Sequence, residues 1–390
     1  MSDRFHLTSA GLETLAGEMA GWIESQLQAL QDGEVSSFLP SWVGRPGRVA
    51  AGEVLVVDVG GTRARAARMK LGRSGLELVS GPDIAAIGQL SSADDYFAFQ
   101  ARLCRDHWKE GIPLGYCFSN PTRSTADGDA ELIGWTKEYH VPGTEGKKVG
   151  RLLRAAISAE LGDISELGVI NDSIATLLAP MSEPALFGTE ENTGYFGLVV
   201  GTGTNMSTFV DGARLGIQTA GSRSVAVNLE SANFVPSALC DTDHKLDELS
   251  DSPGEHLLEK AVSGKYLGKL FELERAQRSS VAWEGGELVR LVQKPARSEE
   301  GELARAILTR SASMVGACLA GAVAPLCIDC RRVIISVEGG LYHGWPEYDS
   351  IVQEVANKLT GENLVLDFRK ISEANLKGTA VAMLSEEAIE

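Results

Sequence analysis

The sequence has no run of Lys or Arg, and its 36 basic residues are outnumbered by 53 acidic ones, for a net charge of −17. A field of that sign repels nucleic acid and anionic membrane surfaces, so neither is expected as a partner, and any anionic ligand must be held by a local site. Cysteine is sparse: six residues, at 104, 117, 240, 318, 327 and 330, make no disulfide framework and suit a reducing cytoplasm. Cys327 and Cys330 form a C-x-x-C, but no second ligand pair stands nearby for zinc and the motif does not open a helix after a strand. It reads as two thiols at the end of an apolar helix. The opening MSDRFHLTSAGLE has neither a basic nor an apolar region, so no secretory signal is expected. Long apolar runs are missing too. One long uncharged stretch, Ser311 to Ile328, carries Ser, Gly and Pro, is short for a membrane span and reads as a buried helix. No Gly-Lys is followed by Ser or Thr, no G-x-G-x-x-G opens a helix, and H-E-x-x-H does not occur, which removes the Walker, dinucleotide and zincin motifs.

What is there is the composition of an ordinary soluble globular protein, 44% hydrophobic and 23% charged over 390 residues, long enough for two cored domains. Apolar residues three or four apart from Leu12 to Leu30 predict an amphipathic helix over 8 to 31, packing on the body of the protein. The Pro- and Gly-punctuated SSFLPSWVGRPGR that follows reads as a loop. From there the pattern predicts strands at 54–59, 64–71 and 76–80, a helix at 92–108, a strand at 113–118, a helix at 146–161 and a strand at 167–170. The second half starts the same way, with strands at 196–200, 206–210 and 214–219. Helices then follow at 254–273 and 302–326, a strand at 332–337, a helix at 346–359 and a strand at 364–368. Two βββαβα units with facing hairpins imply an internal duplication and a cleft. Residues 274–302, rich in Arg, Ser, Glu and Gly around Trp283, read as a solvated insertion.

Each half carries one Gly/Thr turn in a hairpin, Asp58-Val59-Gly60-Gly61-Thr62 and Gly201-Thr202-Gly203-Thr204. Glycines there let backbone N–H groups come close to an anion, although either turn taken singly is more often only a hairpin. Asp58 closes an apolar strand, an expensive place for a carboxylate without a cation or a donor; hydrated Mg²⁺ beside phosphates is one partner and an Asx turn the other reading. Strand 167–170 ends in Asn171-Asp172. On that segment alone a helix cap is favoured, and the alternative is a general base aimed into the cleft.

Taken together, these segments resemble the hexokinase family, glucokinase included, from Ser36 to about Leu384. The matches are DVGGTRAR (58–65), LGYCFSNP (114–121), GWTKEY (134–139), VINDSIATL (169–177), VVGTGTN (199–205), VNLESANF (227–234), SPGEHLLEKAVSGKYLG (252–268) and VEGGLYHGWPEY (337–348), eight in the family's order. The resemblance implies an α/β fold of two RNase H-like (actin-like ATPase) domains with a cleft between them. It divides the chain into an N-terminal helix and connector (1–47) packing on the large domain, a small domain (48–170), a large domain (171–371) and a C-terminal helix (372–390) returning to the small domain.

It also implies transfer of the terminal phosphate of ATP, with Mg²⁺, to the 6-hydroxyl of a hexose, glucose first. The implied sugar set is Ser119, Thr136, Lys137, Asn171, Asp172, Asn205, Glu230 and Glu259, with Asp172 as general base and Lys137 steadying the developing charge. The nucleotide set is Asp58, Gly60, Gly61, Thr62, Arg65, Gly201, Thr202, Gly203, Gly339 and Gly340, with Asp58 toward the metal. A homodimer is compatible with it. Asn120 stands where the family usually has an aromatic, Ser231 replaces the usual Trp beside Glu230, 274–302 is shorter than in typical members, and Asn375-Leu376 interrupts a glycine-rich segment. A sugar sensor without turnover, or a same-fold kinase for another sugar or an aminosugar, are the alternatives.

Overall fold

The structure is a computed structural model that describes residues 2–72, 75–88, 92–135, 140–186, 192–217, 224–275, 283–294 and 298–385. Its first sheet runs β4 (Gly75–Ala86), β3 (Arg63–Gly72), β2 (Glu53–Val59), β5 (Leu114–Phe118), β8 (Leu167–Ile170). The second runs β1 (Leu39–Gly44), β11 (Ser224–Asn228), β10 (Thr204–Asp211), β9 (Thr193–Val200), β12 (Arg332–Glu338), β13 (Val365–Arg369). In both, three strands form an antiparallel meander and two more join in parallel on its far side. The duplication read from the sequence is therefore repeated strand for strand, as two RNase H-like units. A short hairpin, β6 (Thr122–Ser124) with β7 (Ala130–Leu132), extends the first unit.

Helix α1 (Ser9–Asp32) starts because the Thr8 hydroxyl accepts from Gly11 N–H at 3.1 Å, and ends at Gly33 in the left-handed region. Its buried Leu15, Met19, Ile23 and Leu27 recur every fourth residue and lie against α9 (Glu299–Leu326). By length and composition α9 could cross a membrane, yet 83% of its apolar window is buried inside the fold, as expected for a core helix. The first unit also carries α2 (Ala93–Leu103) and α3 (Val149–Glu160). The second carries α5 (Asp241–Glu248), α6 (Leu257–Val262), α7 (Gly264–Glu274), α8 (Gly285–Val292), α10 (Gly340–Gly344) and α11 (Pro346–Thr360).

Four local expectations are corrected. Leu39–Gly44 is a strand and not part of a loop; it forms an edge, where a proline such as Pro40 is tolerated. The strand expected at 214–219 is replaced, over Gly212–Leu215, by a short 3₁₀ turn that Asp211 starts by accepting from Ala213 N–H; the third strand of the meander is β11. The helix expected at 254–273 is two helices, α6 and α7, separated by an extended Ser263. Within 274–302, α8 buries Leu288, Val289, Leu291 and Val292 in the main core, so that part is no solvated insertion.

Two helices cross between the units. The first, α4 (Asp172–Leu178), leaves β8 and packs on β9 and β10, where the Ser207 hydroxyl donates to Ser173 C=O at 2.6 Å. The second, α12 (Ala374–Leu384), leaves β13 and packs on β2 and β5; the space over Gly115 is taken by the Thr379 methyl. They touch at Gly378, where a Cβ would overlap the Ala175 carbonyl oxygen.

Gly378→Ala adds a methyl to a backbone-to-backbone contact. Alanine gains ~1 kcal/mol in helix propensity, but overpacking here costs about 2–3 kcal/mol. Thermal unfolding should show a lower Tm for the variant; an equal or higher Tm would mean that the helices are not this close.

Candidate active site

Because β2, β5 and β8 are parallel, the residues leaving them lie along one edge of the first sheet: Gly60-Gly61-Thr62, Ser119 and Asn171-Asp172. In the second sheet β9 and β12 are likewise parallel, so the turn Gly201-Thr202-Gly203 and the pair Gly339-Gly340 share an edge. One contact and one electrostatic coupling set the edges facing each other. Asn228 Nδ2 of the second unit reaches Asn171 Oδ1 at 3.4 Å, and Glu338, the last residue of β12, feels the charges of Arg65 and Asp58.

Asp58 is 4% exposed and pairs across the hairpin with Arg65, whose Nε donates to Oδ2 at 2.8 Å and whose Nη2 donates to the same oxygen. Arg65 Nη1 donates to Glu373 Oε2 at 2.8 Å. Burial opposes the guanidinium charge, but Asp58 and then Glu373 outweigh it and hold the group above its ordinary value. The other oxygen, Asp58 Oδ1, is buried and accepts no hydrogen bond among the described residues. On the neighbouring strand, in register with Asp58, the Cys117 thiol is pushed well up, by burial first and then by the charges of Asp58 and Asp172. Across the cleft, burial raises the Glu338 carboxyl, against the pull of the Gly339 N–H it accepts at 3.2 Å and of Arg65.

The second turn is tied to α7: Gly264 N–H donates to Gly201 C=O at 2.8 Å and Lys265 N–H to Thr202 C=O at 3.1 Å. This spends two of the turn's carbonyls on helix N–H groups that would otherwise lack partners. A Cβ at Gly203 would stand 2.6 Å from Glu259 Oε2, the oxygen that accepts Thr204 N–H at 3.1 Å, so any larger residue here would displace the Glu259 carboxylate.

Asn171 caps α4, its Oδ1 accepting from Ser173 N–H at 2.9 Å and Ser173 Oγ at 2.8 Å. Asp172 is the first helical residue, and its Oδ1 also accepts from Ser173 N–H, at 2.9 Å. Both readings of this segment are thus embodied, the cap by Asn171 and a carboxylate on the cleft edge by Asp172. Asn205 Nδ2 donates to Asn228 Oδ1 at 2.9 Å, and Glu230, in the left-handed region at φ 44°, accepts from Asn228 Nδ2 at 2.6 Å. Hydrogen bonds therefore link Asn171, Asn205 and Glu230, while Glu259 attaches to the neighbouring turn. Ser119 lies on the same edge through its N–H to Val59 C=O at 3.2 Å. Thr136 and Lys137 lie outside the described residues.

Three residues of this site were not singled out by sequence reasoning: Asn228, Glu338 and Cys117. Asn228 and Glu338 fall inside quoted segments, VNLESANF and VEGGLYHGWPEY, and Cys117 inside LGYCFSNP, so the signal was position within a matched motif.

Residues 1–181 match a family profile described as Hexokinase, and residues 195–279 with 286–385 match a second profile of the same description. Among characterised proteins, the chain is 26% identical over 421 residues to Hexokinase HKDC1 of Homo sapiens, covering 91% of this chain and 44% of that protein. It is 28% identical over 284 residues to Hexokinase-3 of Mus musculus, covering 68% of this chain and 29% of that one. The chain thus spans less than half the length of these relatives. Among solved structures, a hexokinase from Schistosoma mansoni complexed with glucose superimposes with a TM-score of 0.81 at 23% identity, over 98% of this chain and 96% of that one. A ROK family glucokinase from Streptomyces griseus in complex with glucose and AMPPNP gives 0.54 at 16% identity, over 84% and 98%. At these identities the structural likeness establishes the two-domain fold.

Arg65→Met leaves the Asp58 carboxylate buried without its counter-charge. A fully buried pair loses 3–5 kcal/mol when broken, but this guanidinium side chain is 26% exposed, so a loss of about 2 kcal/mol is expected. Chemical denaturation of Arg65→Met and of Arg65→Met with Asp58→Asn measures it: the double variant should recover stability, and no recovery would show that the charge is not what the arginine compensates.

Proposed function

Since the chain belongs to the hexokinase family, we propose that it is a sugar kinase that moves the terminal phosphate of ATP to the 6-hydroxyl of a hexose, glucose first, with Asp172 as general base. The observation that carries this reading is that the first glycine turn and Asp172 share one sheet edge, facing the edge that carries the second turn, beside a set of amide and carboxylate side chains joined by hydrogen bonds. A hexose displays many hydroxyls, and groups of this kind can each serve more than one. The glucose bound in the Schistosoma mansoni neighbour and the AMPPNP in the Streptomyces griseus one support a hexose and ATP as ligands.

In the proposed reaction the sugar oxygen attacks the terminal phosphorus, the bond to the bridging oxygen breaks, ADP leaves and the hydroxyl proton passes to the Asp172 carboxylate. Little covalent work falls to the protein, so rate comes from positioning and charge neutralisation. The Ser173 N–H fixes one Asp172 oxygen, which orients the carboxylate at the start of α4. In the second turn the Gly201 and Thr202 carbonyls are turned to α7 and Gly201 N–H is spent on Gly203 C=O, so Thr202 and Gly203 would offer the amides to phosphate; in the first turn Gly60 N–H is spent on Arg63 C=O, and Gly61 and Thr62 would do so from the other side. The buried Asp58 Oδ1, which accepts no hydrogen bond among the described residues, fits the water shell of a Mg²⁺ ion, which when bound would neutralise phosphate charge. Thr136 keeps its proposed place in the sugar set, and Lys137 its place beside the reacting oxygen, on the resemblance alone. Closure of the cleft would exclude water, the competing acceptor.

Asp172→Asn keeps the shape of the side chain and removes the base. Sugar binding should persist while kcat falls by roughly 10²–10⁴, read by coupled ADP release over a panel of hexoses and nucleotides. Wild-type protein that binds sugar but turns over none of the panel would be a sensor and not a kinase, and a variant as fast as wild type would take the base assignment away from Asp172.

A further inference from the structure

One side chain joins the proposed sugar contacts without being one of them. Asn228 ends β11, is 2% exposed, and uses its whole hydrogen-bonding capacity. Its Oδ1 accepts from Glu230 N–H and from Asn205 Nδ2, each at 2.9 Å; its Nδ2 donates to Glu230 Oε1 at 2.6 Å and to Asn171 Oδ1 at 3.4 Å.

The polarity of this cluster is set by backbone amides, which can only donate. Glu230 N–H fixes which end of Asn228 is oxygen. Ser173 N–H does the same for Asn171, and Met206 N–H at 2.8 Å and Ser231 N–H at 3.2 Å do so for Asn205. With all three amides oriented, Asn171 has its oxygen spent on three donors while its NH₂ donates to nothing among the described residues, and Asn205 has spent one of two N–H bonds. The Glu230 carboxylate is drawn to Asn228 from a backbone held at φ 44°, a conformation that a residue with a Cβ adopts at some cost.

On the hexose kinase reading, we infer that Asn228 is the positioning residue of the sugar site. It determines that Asn171 and Asn205 present donors, that Glu230 presents a carboxylate, and at what spacing, and it thereby sets which arrangement of sugar hydroxyls the site accepts. A role confined to packing β11 would leave sugar recognition untouched once the protein has folded. A positioning role acts on the sugar and leaves the nucleotide, held by the glycine turns, as it was.

Asn228→Asp keeps the acceptor for Glu230 N–H and Asn205 and replaces the donor by an oxygen facing the Glu230 carboxylate. Asn228→Ser removes the reach without adding charge and covers the case in which the aspartate variant does not fold. Glucose, mannose and galactose are the probes, each measured by equilibrium calorimetry and by coupled kinetics, with thermal unfolding as the control for folding. Glucose affinity should fall by about 10- to 100-fold in Asn228→Asp and by less in Asn228→Ser, and the preference among the three epimers should narrow, with the KM for ATP within about twofold of wild type. Unchanged glucose affinity, or equal losses for glucose and ATP, would overturn the inference. Wild-type protein that binds glucose without transferring phosphate would sink the kinase reading, and the inference would then be judged on calorimetry alone. Wild-type protein that binds none of the three sugars would overturn both.

Discussion

The two halves of this protein hold their geometry through the crossing of α4 and α12. Each helix starts from a strand of one sheet and packs on the other sheet, and at Gly378 no side chain separates it from the carbonyl of Ala175. Contact at backbone distance leaves little room to slide, because interiors are close-packed and respond to small displacements with steep repulsion. The first turn of α4 is Asn171-Asp172, so the helix that locks the units together also carries the proposed base. At the start of α12, Glu373 holds Arg65, which holds Asp58. The crossing therefore fixes both ends of the site relative to one another, and any closing motion has to pivot about it.

Given that frame, the polar groups at the cleft had to be satisfied in place. A buried carboxylate without a partner is costly, and Asp58 meets the requirement on one oxygen only. Asn228 meets it on every atom. The contrast separates two kinds of polar side chain in one site. Asn228 is saturated and can only orient its neighbours, whereas Asp58 keeps an acceptor in reserve for a ligand.

Much of this architecture was legible in the sequence, because strands of alternating or continuous apolar character and two similar Gly/Thr turns recur in the same order in both halves. What escaped did so for identifiable reasons. Pro40 disguised β1, since proline signals a loop unless the strand is at an edge. Charged and small residues on either side of α8 hid four apolar positions that only the tertiary core explains. Ser263 divides a helical pattern without Pro or Gly before it, because it is extended where the chain turns from α6 to α7. Asp172 and Asn171 could be named but not assigned between cap and base; the structure gives the cap to Asn171 and leaves Asp172, the proposed base, as the first residue of the helix. Asn228 was out of reach in principle: its partners lie 57 and 23 residues away, and nothing in a polar residue at a strand end tells which distant amides it will orient.

The charge balance follows from the same geometry. The chain carries a net charge of −17, and its site repeats the imbalance locally, setting Arg65 against the carboxylates of Asp58, Glu373 and Glu338. The guanidinium is therefore already neutralised before any phosphate arrives, and a polyphosphate that came alone would meet net repulsion. Burial of Glu338 favours its protonated form and eases that repulsion in part. The rest must be supplied by backbone amides of the two turns, which attract anions without carrying a charge, and by whatever cation accompanies the phosphates. On the proposed kinase reading, a site so built would separate its two tasks: dipoles and a cation would hold the nucleotide, while oriented amides and carboxylates would read the sugar. On that reading a strongly acidic chain could still bind a polyanion. Its attraction is confined to a few ångströms around the glycine turns, where the field of the surrounding acidic surface is outweighed by close, fixed N–H dipoles.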